Sequence, residues 1–375
     1  MSDCKINTRK SVFELLLRME KGAYSSIVLD VLYKSTDFKP NEKKFITALF
    51  YGVIERQITL DYVIDKFAST KPDLHVRILI RMALYQILFM EGVPQSAAVN
   101  ESVNLAPKRS RGFVNAVLRN FLRAERDFLN KEAEENLSLK YSSPDWLVQK
   151  WMREYGSEET LQILRTSLLK PPRFETDGYV QDLSSRQACE LFAPQPGETV
   201  IDLCAAPGGK SFTVAGLMAN TGRIISCDIN RKKLNLVENG AKKLGLSIIE
   251  THVNDAKVFN PDFPKADRVL CDVPCSGLGV IRRKPEIKYK PESDFEGLPE
   301  IQLRILLTGS RYVKDGGFLM YSTCTLSRRE NDEVIDDFLH ELCGGFRLVE
   351  KRTVIPSEDG GDGFFMALLE RTVRE

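Results

Sequence analysis

Residues 199–210 read Thr-Val-Ile-Asp-Leu-Cys-Ala-Ala-Pro-Gly-Gly-Lys. An apolar run, 199–204, ends in a turn of two alanines, a proline and two glycines, and a helix is expected to open at Lys210. A run too short for a helix, closed by residues that break one, is the strand–turn–helix start of an α/β domain. The small residues Ala205, Ala206, Gly208 and Gly209, with Pro207 between them, let backbone approach a ligand closely. N–H groups at the helix start can then hold a carboxylate or phosphate. The bland alternative is a tight structural turn. The turn is not a P-loop, because Cys204 stands five residues before Gly209 where that motif needs glycine, and it is not G-x-G-x-x-G.

Downstream, RIISCD (223–228) forms a second strand with a helix after it over 231–244. IIETHV (248–253), RVLCDV (268–273), GFLMYST (317–323) and two late strands near 346–350 and 364–370 complete the set. Strands alternating with helices predict a mostly parallel sheet, whose ligands sit beyond the C-terminal strand ends. Asp228 ends the second strand, at an offset from the glycine turn where a carboxylate accepts hydrogen bonds from ribose hydroxyls. Asp255 follows the third, where it can meet an adenine amino group. Aspartate in such loops is also a common turn residue. The three features in order favour a nucleoside-containing cofactor.

Two further strand ends carry cysteine, in Asp272-Val273-Pro274-Cys275-Ser276-Gly277 and in Ser322-Thr323-Cys324-Thr325. A cysteine nucleophile needs partial exposure and a positive or dipolar neighbourhood, which strand-end loops supply. Cys189, Cys227 and Cys343 read instead as small buried hydrophobes. Ser327-x-x-Glu330 matches a helix capping box.

The first 126 residues read as helices only. Val12, Leu15, Leu16 and Met19, then Ile27, Val28, Val31 and Leu32, recur at helical spacing, and FVNAVLRNFL (113–122) is the last clear helix. Residues 127–181 form a polar helical linker and junction. Composition excludes a disordered chain, at 43% hydrophobic and 28% charged. The net charge is only +1, but residues 1–140 hold 22 Lys and Arg against 17 Asp and Glu, so a polyanion is expected to dock there. Lys43, Lys44, Arg109 and Arg111 near predicted helix ends, and Arg282 after the Cys275 loop, are the candidate phosphate contacts. The eight scattered cysteines include no Cys-x-x-Cys and the three histidines lie far apart, so no metal site is expected. The start has no signal-peptide pattern, and Arg81 and Gln86 interrupt the apolar segment 78–90, which is too short to span a bilayer. A cytoplasmic, monomeric protein without membrane contact is expected.

D-L-C-A-A-P-G-G-K, D-V-P-C-S-G and S-T-C-T-L-S-R-R-E-N resemble, in order and spacing, the Sun/Nop/RsmB-type RNA cytosine-5 methyltransferases. PQSAAVNESVNLAP (94–107) and GFVNAVLRNFL (112–122) look like that family's NusB-like domain. The resemblance implies a multidomain protein: a NusB-like all-helical RNA-binding domain over 1–126, the linker over 127–181, and a Rossmann-like methyltransferase domain over 182–375. It implies S-adenosylmethionine as cofactor, held by Cys204–Lys210, Asp228, Asp255 and Asp272, and cytosine C5 of 16S ribosomal RNA as target. Cys324 would attack C6, Asp272 would hydrogen-bond N3, Cys275 would assist proton loss and product release, and Lys210 would stand near the reacting groups. The target base would leave its stack to enter the pocket. Where the family carries an extra subdomain after a segment like Lys170-Pro171-Pro172, this chain runs almost directly through 173–178. Three competing readings are a transfer RNA substrate, a silent RNA-binding or assembly factor, and a nicotinamide-dependent oxidoreductase. The last lacks its glycine motif and leaves both cysteines unexplained.

Overall fold

The computed structural model describes residues 7–124, 128–176 and 178–373. The chain divides into two compact units, residues 1–150 with 284–289, and residues 151–283 with 290–375. The stretch expected as a linker over 127–181 is therefore shared between them, and a six-residue segment from far downstream is counted with the first.

The first unit is helical: Thr8–Met19, Ser25–Ser35, Pro40–Glu55, Gln57–Phe67, Leu74–Phe89, Gln95–Leu105 and Arg111–Arg123 are its main helices. Asn7 and Asp73 cap two of them by accepting the backbone N–H of Lys10 and Val76, which satisfies donors that a helix start leaves unpaired. Leu49, Phe50, Leu60, Val63, Ile80 and Leu118 are fully buried in one apolar core. Arg81, which interrupts the most apolar stretch of the sequence, is buried on Asp61, with Nε at 2.8 Å and Nη2 at 2.7 Å, and also pairs with Glu20. Within the same unit, Lys288 donates to the carbonyl of Glu55 at 2.8 Å and Tyr289 to that of Ile54 at 2.7 Å. Those carbonyls lie in the last turn of a helix, where no intrahelical donor reaches them. Burial pulls the Lys288 ammonium down to about 7, against the opposing pull of Glu55.

The second unit contains a small hairpin, β1 (Glu175–Thr176) and β2 (Tyr179–Val180), and a seven-stranded sheet. The sheet strands are β3 (Thr199–Asp202), β4 (Arg223–Asp228), β5 (Ile249–Val253), β6 (Ala266–Asp272), β7 (Val313–Thr323), β8 (Phe346–Val354) and β9 (Phe364–Arg371). Their order is β5-β4-β3-β6-β7-β9-β8, parallel from β5 to β7, with β9 antiparallel to both of its neighbours. Ile201, Ile225, Val269 and Leu319 are completely buried, as expected for parallel strands covered on both faces. Strand order reverses direction at β3, with β4 on one side and β6 on the other, so the ligand crevice of such a sheet opens beyond these C-terminal ends. The helix Asp145–Thr166 is broken into two shorter helices at Gly156 (φ 81°). No helix among the described residues is long and apolar enough to cross a membrane.

Candidate active site

The turn after β3 needs its glycine. Gly208 has φ +116°, and a Cβ there would lie 2.4 Å from the Phe212 ring. The helix Gly209–Leu217 starts on the next residue. Beneath the turn, buried Asp202 accepts the Ser211 hydroxyl at 2.7 Å and the Cys204 N–H at 3.4 Å, and Ser211 also meets Ser226 at 2.9 Å. Burial pushes the Asp202 carboxyl up to about 7 despite the Ser211 hydrogen bond. The Ala205 N–H donates to the Cys227 carbonyl at 2.7 Å, stitching the turn to β4.

Above these strand ends lies a cavity of about 450 Å³. Cys204, Ala206, Asp228, Asp255, Asp272, Cys275 and Cys324 all line it, although they come from five different strand ends. Asp228 spends one carboxylate oxygen on the Asn230 N–H at 2.8 Å; among the described residues the other makes no hydrogen bond. Asp255 accepts the Lys257 N–H at 3.0 Å and pairs with the Lys257 ammonium at 3.6 Å. Both aspartates are thus turn residues and cavity residues at once. Ala205 is buried, Pro207 exposed, and Gly209 half-buried at the helix start.

Asp272 and Ser322 face each other in the β6–β7 register, which brings the Ser322 hydroxyl to one carboxylate oxygen at 2.8 Å. Lys210 donates to the other oxygen at 2.8 Å. Burial pulls the Lys210 ammonium down, but Asp272 more than offsets it and the net displacement is upward, so this cation is retained inside the site. The Cys275 and Cys324 sulfurs are 3.3 Å apart. The hydrogen bond to Cys324, reinforced by burial, holds the Cys275 thiol well above its ordinary range and therefore protonated. Cys204 is raised well above its range by burial and stays a neutral wall residue. The arrangement supplies one sulfur with a neighbouring S–H donor and a nearby ammonium, the environment that favours a thiolate.

Glu330, Asn331 and Gly279, given no part in the site by the sequence reading, hold the two cysteine loops in place. Glu330, only 2% exposed, accepts the Ser276 N–H at 2.8 Å, the Ser276 hydroxyl at 2.5 Å and the Gln302 amide at 3.0 Å. It does not close the expected capping box: Ser327 makes no side-chain cap, and the carboxylate turns inward to the Cys275 loop. Asn331 brackets Cys324, accepting the Thr323 hydroxyl at 2.6 Å and donating to the Thr325 carbonyl at 3.0 Å. Gly279 donates to the Cys324 carbonyl at 3.0 Å and accepts from Gly363 at 2.9 Å, so three backbones meet where no side chain fits. Gln302, buried in the helix Leu298–Ser310, also donates to the Pro274 carbonyl at 3.0 Å.

The structure overturns two further expectations, for Arg282 and for Cys343. Arg282 is no RNA contact: its guanidinium is buried on Asp362 at 2.5 Å and on the carbonyls of Ser357 and Gly360 at 2.9 and 2.7 Å, fastening the loop before β9. Arg283 is bound to Asp182 and Asp362 in the same way. Cys343 is exposed, whereas Cys189 and Cys227 are buried as expected. Lys44, Arg109 and Arg111 are exposed on the helical unit and Lys43 is half-buried. Lys43 leans on the Tyr33 ring, and Arg111 donates to the carbonyls of Asn104 and Ala106.

The 16S rRNA methyltransferase RsmB/F family matches residues 189–370, and the NusB family matches residues 6–123. A probable ribosomal RNA small subunit methyltransferase B of Bacillus subtilis is 33% identical, over 98% of this chain and 99% of that protein. Its counterpart in Synechocystis is 31% identical over 98% and 100%. The alignment to the Bacillus protein runs over 443 positions against 375 residues here, so that relative carries residues that this chain lacks. Among solved structures, that of PH0851 has a TM-score of 0.79 at 23% identity, covering 98% of this chain and 99% of that one.

Proposed function

The chain belongs to the RsmB/F family of 16S rRNA methyltransferases, and from that premise we propose that it methylates C5 of a cytosine in 16S ribosomal RNA. It is an S-adenosylmethionine-dependent methyltransferase by that membership. The observation that carries the finer reading is the pair of sulfurs 3.3 Å apart on one cavity wall, beside the Lys210–Asp272 ion pair. A methyl transfer to nitrogen or oxygen needs no such pair, whereas C5 of cytosine is too poor a nucleophile until a thiolate has added at C6.

The cavity residues fit the cofactor: an acidic side chain at the end of β4, another after β5, and a glycine turn opening a helix. When bound there, S-adenosylmethionine would supply an electrophilic methyl group, its sulfonium leaving as a neutral thioether. Asp228 is assigned to the ribose hydroxyls and Asp255 to the adenine amino group. Cys324 is assigned as the nucleophile at C6. Asp272, held by Lys210 and Ser322, is assigned to the N3 edge of the base, where it stabilises the adduct. Product release removes the C5 proton to solvent and breaks the C6–S bond. The S–H of Cys275, donated to the departing sulfur, favours its leaving as thiolate.

The test is transfer of labelled methyl groups to 16S ribosomal RNA, with bisulfite mapping of the product. One or more cytosines resistant to bisulfite, absent with Cys324→Ala, is the expected result. Label recovered on an adenine, a guanine or a ribose would refute the cytosine assignment.

A further inference from the structure

A second cavity, of about 520 Å³, opens at the opposite edge of the sheet. Lys265 precedes β6, Arg311 precedes β7, and Arg371 ends the antiparallel β9, so all three cations converge on the edge away from Asp272 and Cys324. Arg371 is matched by Asp315 at 2.9 Å. Lys265 and Arg311 form no ion pair among the described residues. The Lys265 ammonium donates to the Arg311 carbonyl at 2.5 Å, and the Arg311 guanidinium lies 3.7 Å over the Phe259 ring, which is itself stacked on Tyr312. These interactions hold both groups in place without neutralising either. Burial and then the neighbouring Arg371 lower the Lys265 pKa, Asp315 opposes them, and Arg311 lowers it further, so the net effect is that of crowded positive charge.

We propose that this cavity is a phosphate-binding site that takes a backbone phosphodiester of the RNA substrate. The proposal rests on the RNA reading above and adds a second point of attachment remote from the reacting base. Lys265 and Arg311, neither of them in an ion pair among the described residues, stand beside an Arg371 already paired with Asp315, and such a surplus of donors matches a phosphate group. An RNA strand is favoured over free phosphate because Lys265 and Arg311 are exposed side chains on an open surface, not donors converging on an enclosed hole. The site stands about 20 Å from the reacting end, the length of β6 at roughly 3.3 Å per residue. Only an RNA extending well beyond the target base reaches both.

The experiment compares the full-length protein with Lys265→Ala/Arg311→Ala. RNA affinity is measured across a salt series on a long fragment and on a short oligonucleotide around the target cytosine. Cofactor affinity serves as the folding control. For the long fragment the variant should bind about tenfold more weakly at low salt. Its log–log salt slope should fall by about 0.7–0.9, because one phosphate is no longer neutralised. The short oligonucleotide should be bound alike by both proteins. If the wild-type protein bound no RNA, the functional reading itself would fail. If it bound RNA and the variant matched it in affinity and slope, only this site would be overturned. If inorganic phosphate stabilised the wild-type protein but not the variant while RNA binding stayed equal, the ligand would be free phosphate and the RNA assignment would fall.

Discussion

Asp202 shows how a residue with no contact to substrate can govern the site. It is fully buried under the glycine turn and its carboxyl is pushed up to about 7. A carboxyl whose folded pKa is raised contributes stability below its unfolded value, near 4, and that contribution is lost as pH rises through the folded value. Wild-type stability should therefore fall relative to Asp202→Asn between about pH 4 and about pH 7, which urea unfolding of both proteins measures. Parallel curves would place the proton elsewhere. Asp228→Ala should weaken cofactor binding by about 1.5–3 kcal/mol, the range for a hydrogen bond to a charged group, with little change in the chemical step. Calorimetric titration showing wild-type affinity would leave Asp228 only its turn hydrogen bond with Asn230. At this scale the sequence was legible where residue type and strand end coincide, as at Asp272, Cys275 and Cys324. It was misleading at Arg282 and Glu330, whose partners lie 80 and 54 residues away in the chain, a distance over which no local pattern speaks.

The elements were easier to anticipate than the loops that make the site. Apolar runs such as IISC and VLC identify parallel strands because both faces are covered, and glycine or proline marks their ends. The way the Cys275 and Cys324 loops lean on each other is set by backbone approach and by a buried carboxylate, neither of which has a period. A Cβ on Gly279 would sit 2.0 Å from the Gly363 carbonyl and 2.8 Å from that of Cys324. Gly279→Ala should cost about 1–3 kcal/mol, the usual range for overpacking, and lower turnover by shifting Cys324. A urea midpoint and a turnover number equal to wild type would contradict the clamp. Glu330→Ala should leave the Ser276 N–H and the Gln302 amide without their buried partner, at about 1–3 kcal/mol. It should reduce kcat much more than it changes cofactor KM, and Glu330→Gln, which keeps an acceptor, should recover part of the loss. Equal effects on kcat and KM would make Glu330 a purely structural residue.

For the molecule as a whole, charge and topology separate two tasks. The helical unit carries exposed Lys44, Arg109 and Arg111, and the sheet unit carries the reacting groups. Lys44→Glu/Arg109→Glu should weaken RNA binding at all sequences and lower the salt slope by about 0.7–0.9 per phosphate contact, with cofactor affinity unchanged. Unaltered RNA affinity would remove the helical unit from recognition. Point variants are preferred to deleting residues 1–126, because that deletion would strip Lys288 and Tyr289 of the Glu55 and Ile54 carbonyls they are bound to. The division of the chain was visible in the change from helical spacing to alternating strands and helices, whereas the return of 284–289 to the helical unit was not, since nothing in Pro-Glu-Ile-Lys-Tyr names its partner. Covalent catalysis by this pair requires that the two thiols act in a fixed order. Mixed with 16S ribosomal RNA and S-adenosylmethionine, Cys275→Ala should accumulate a slow-migrating protein–RNA adduct on a denaturing gel, because attack and methylation proceed while release stalls. Cys324→Ala should form no adduct. Adduct in Cys324→Ala and none in Cys275→Ala would reverse the roles, and no change in adduct or turnover in either variant would contradict covalent catalysis by this pair.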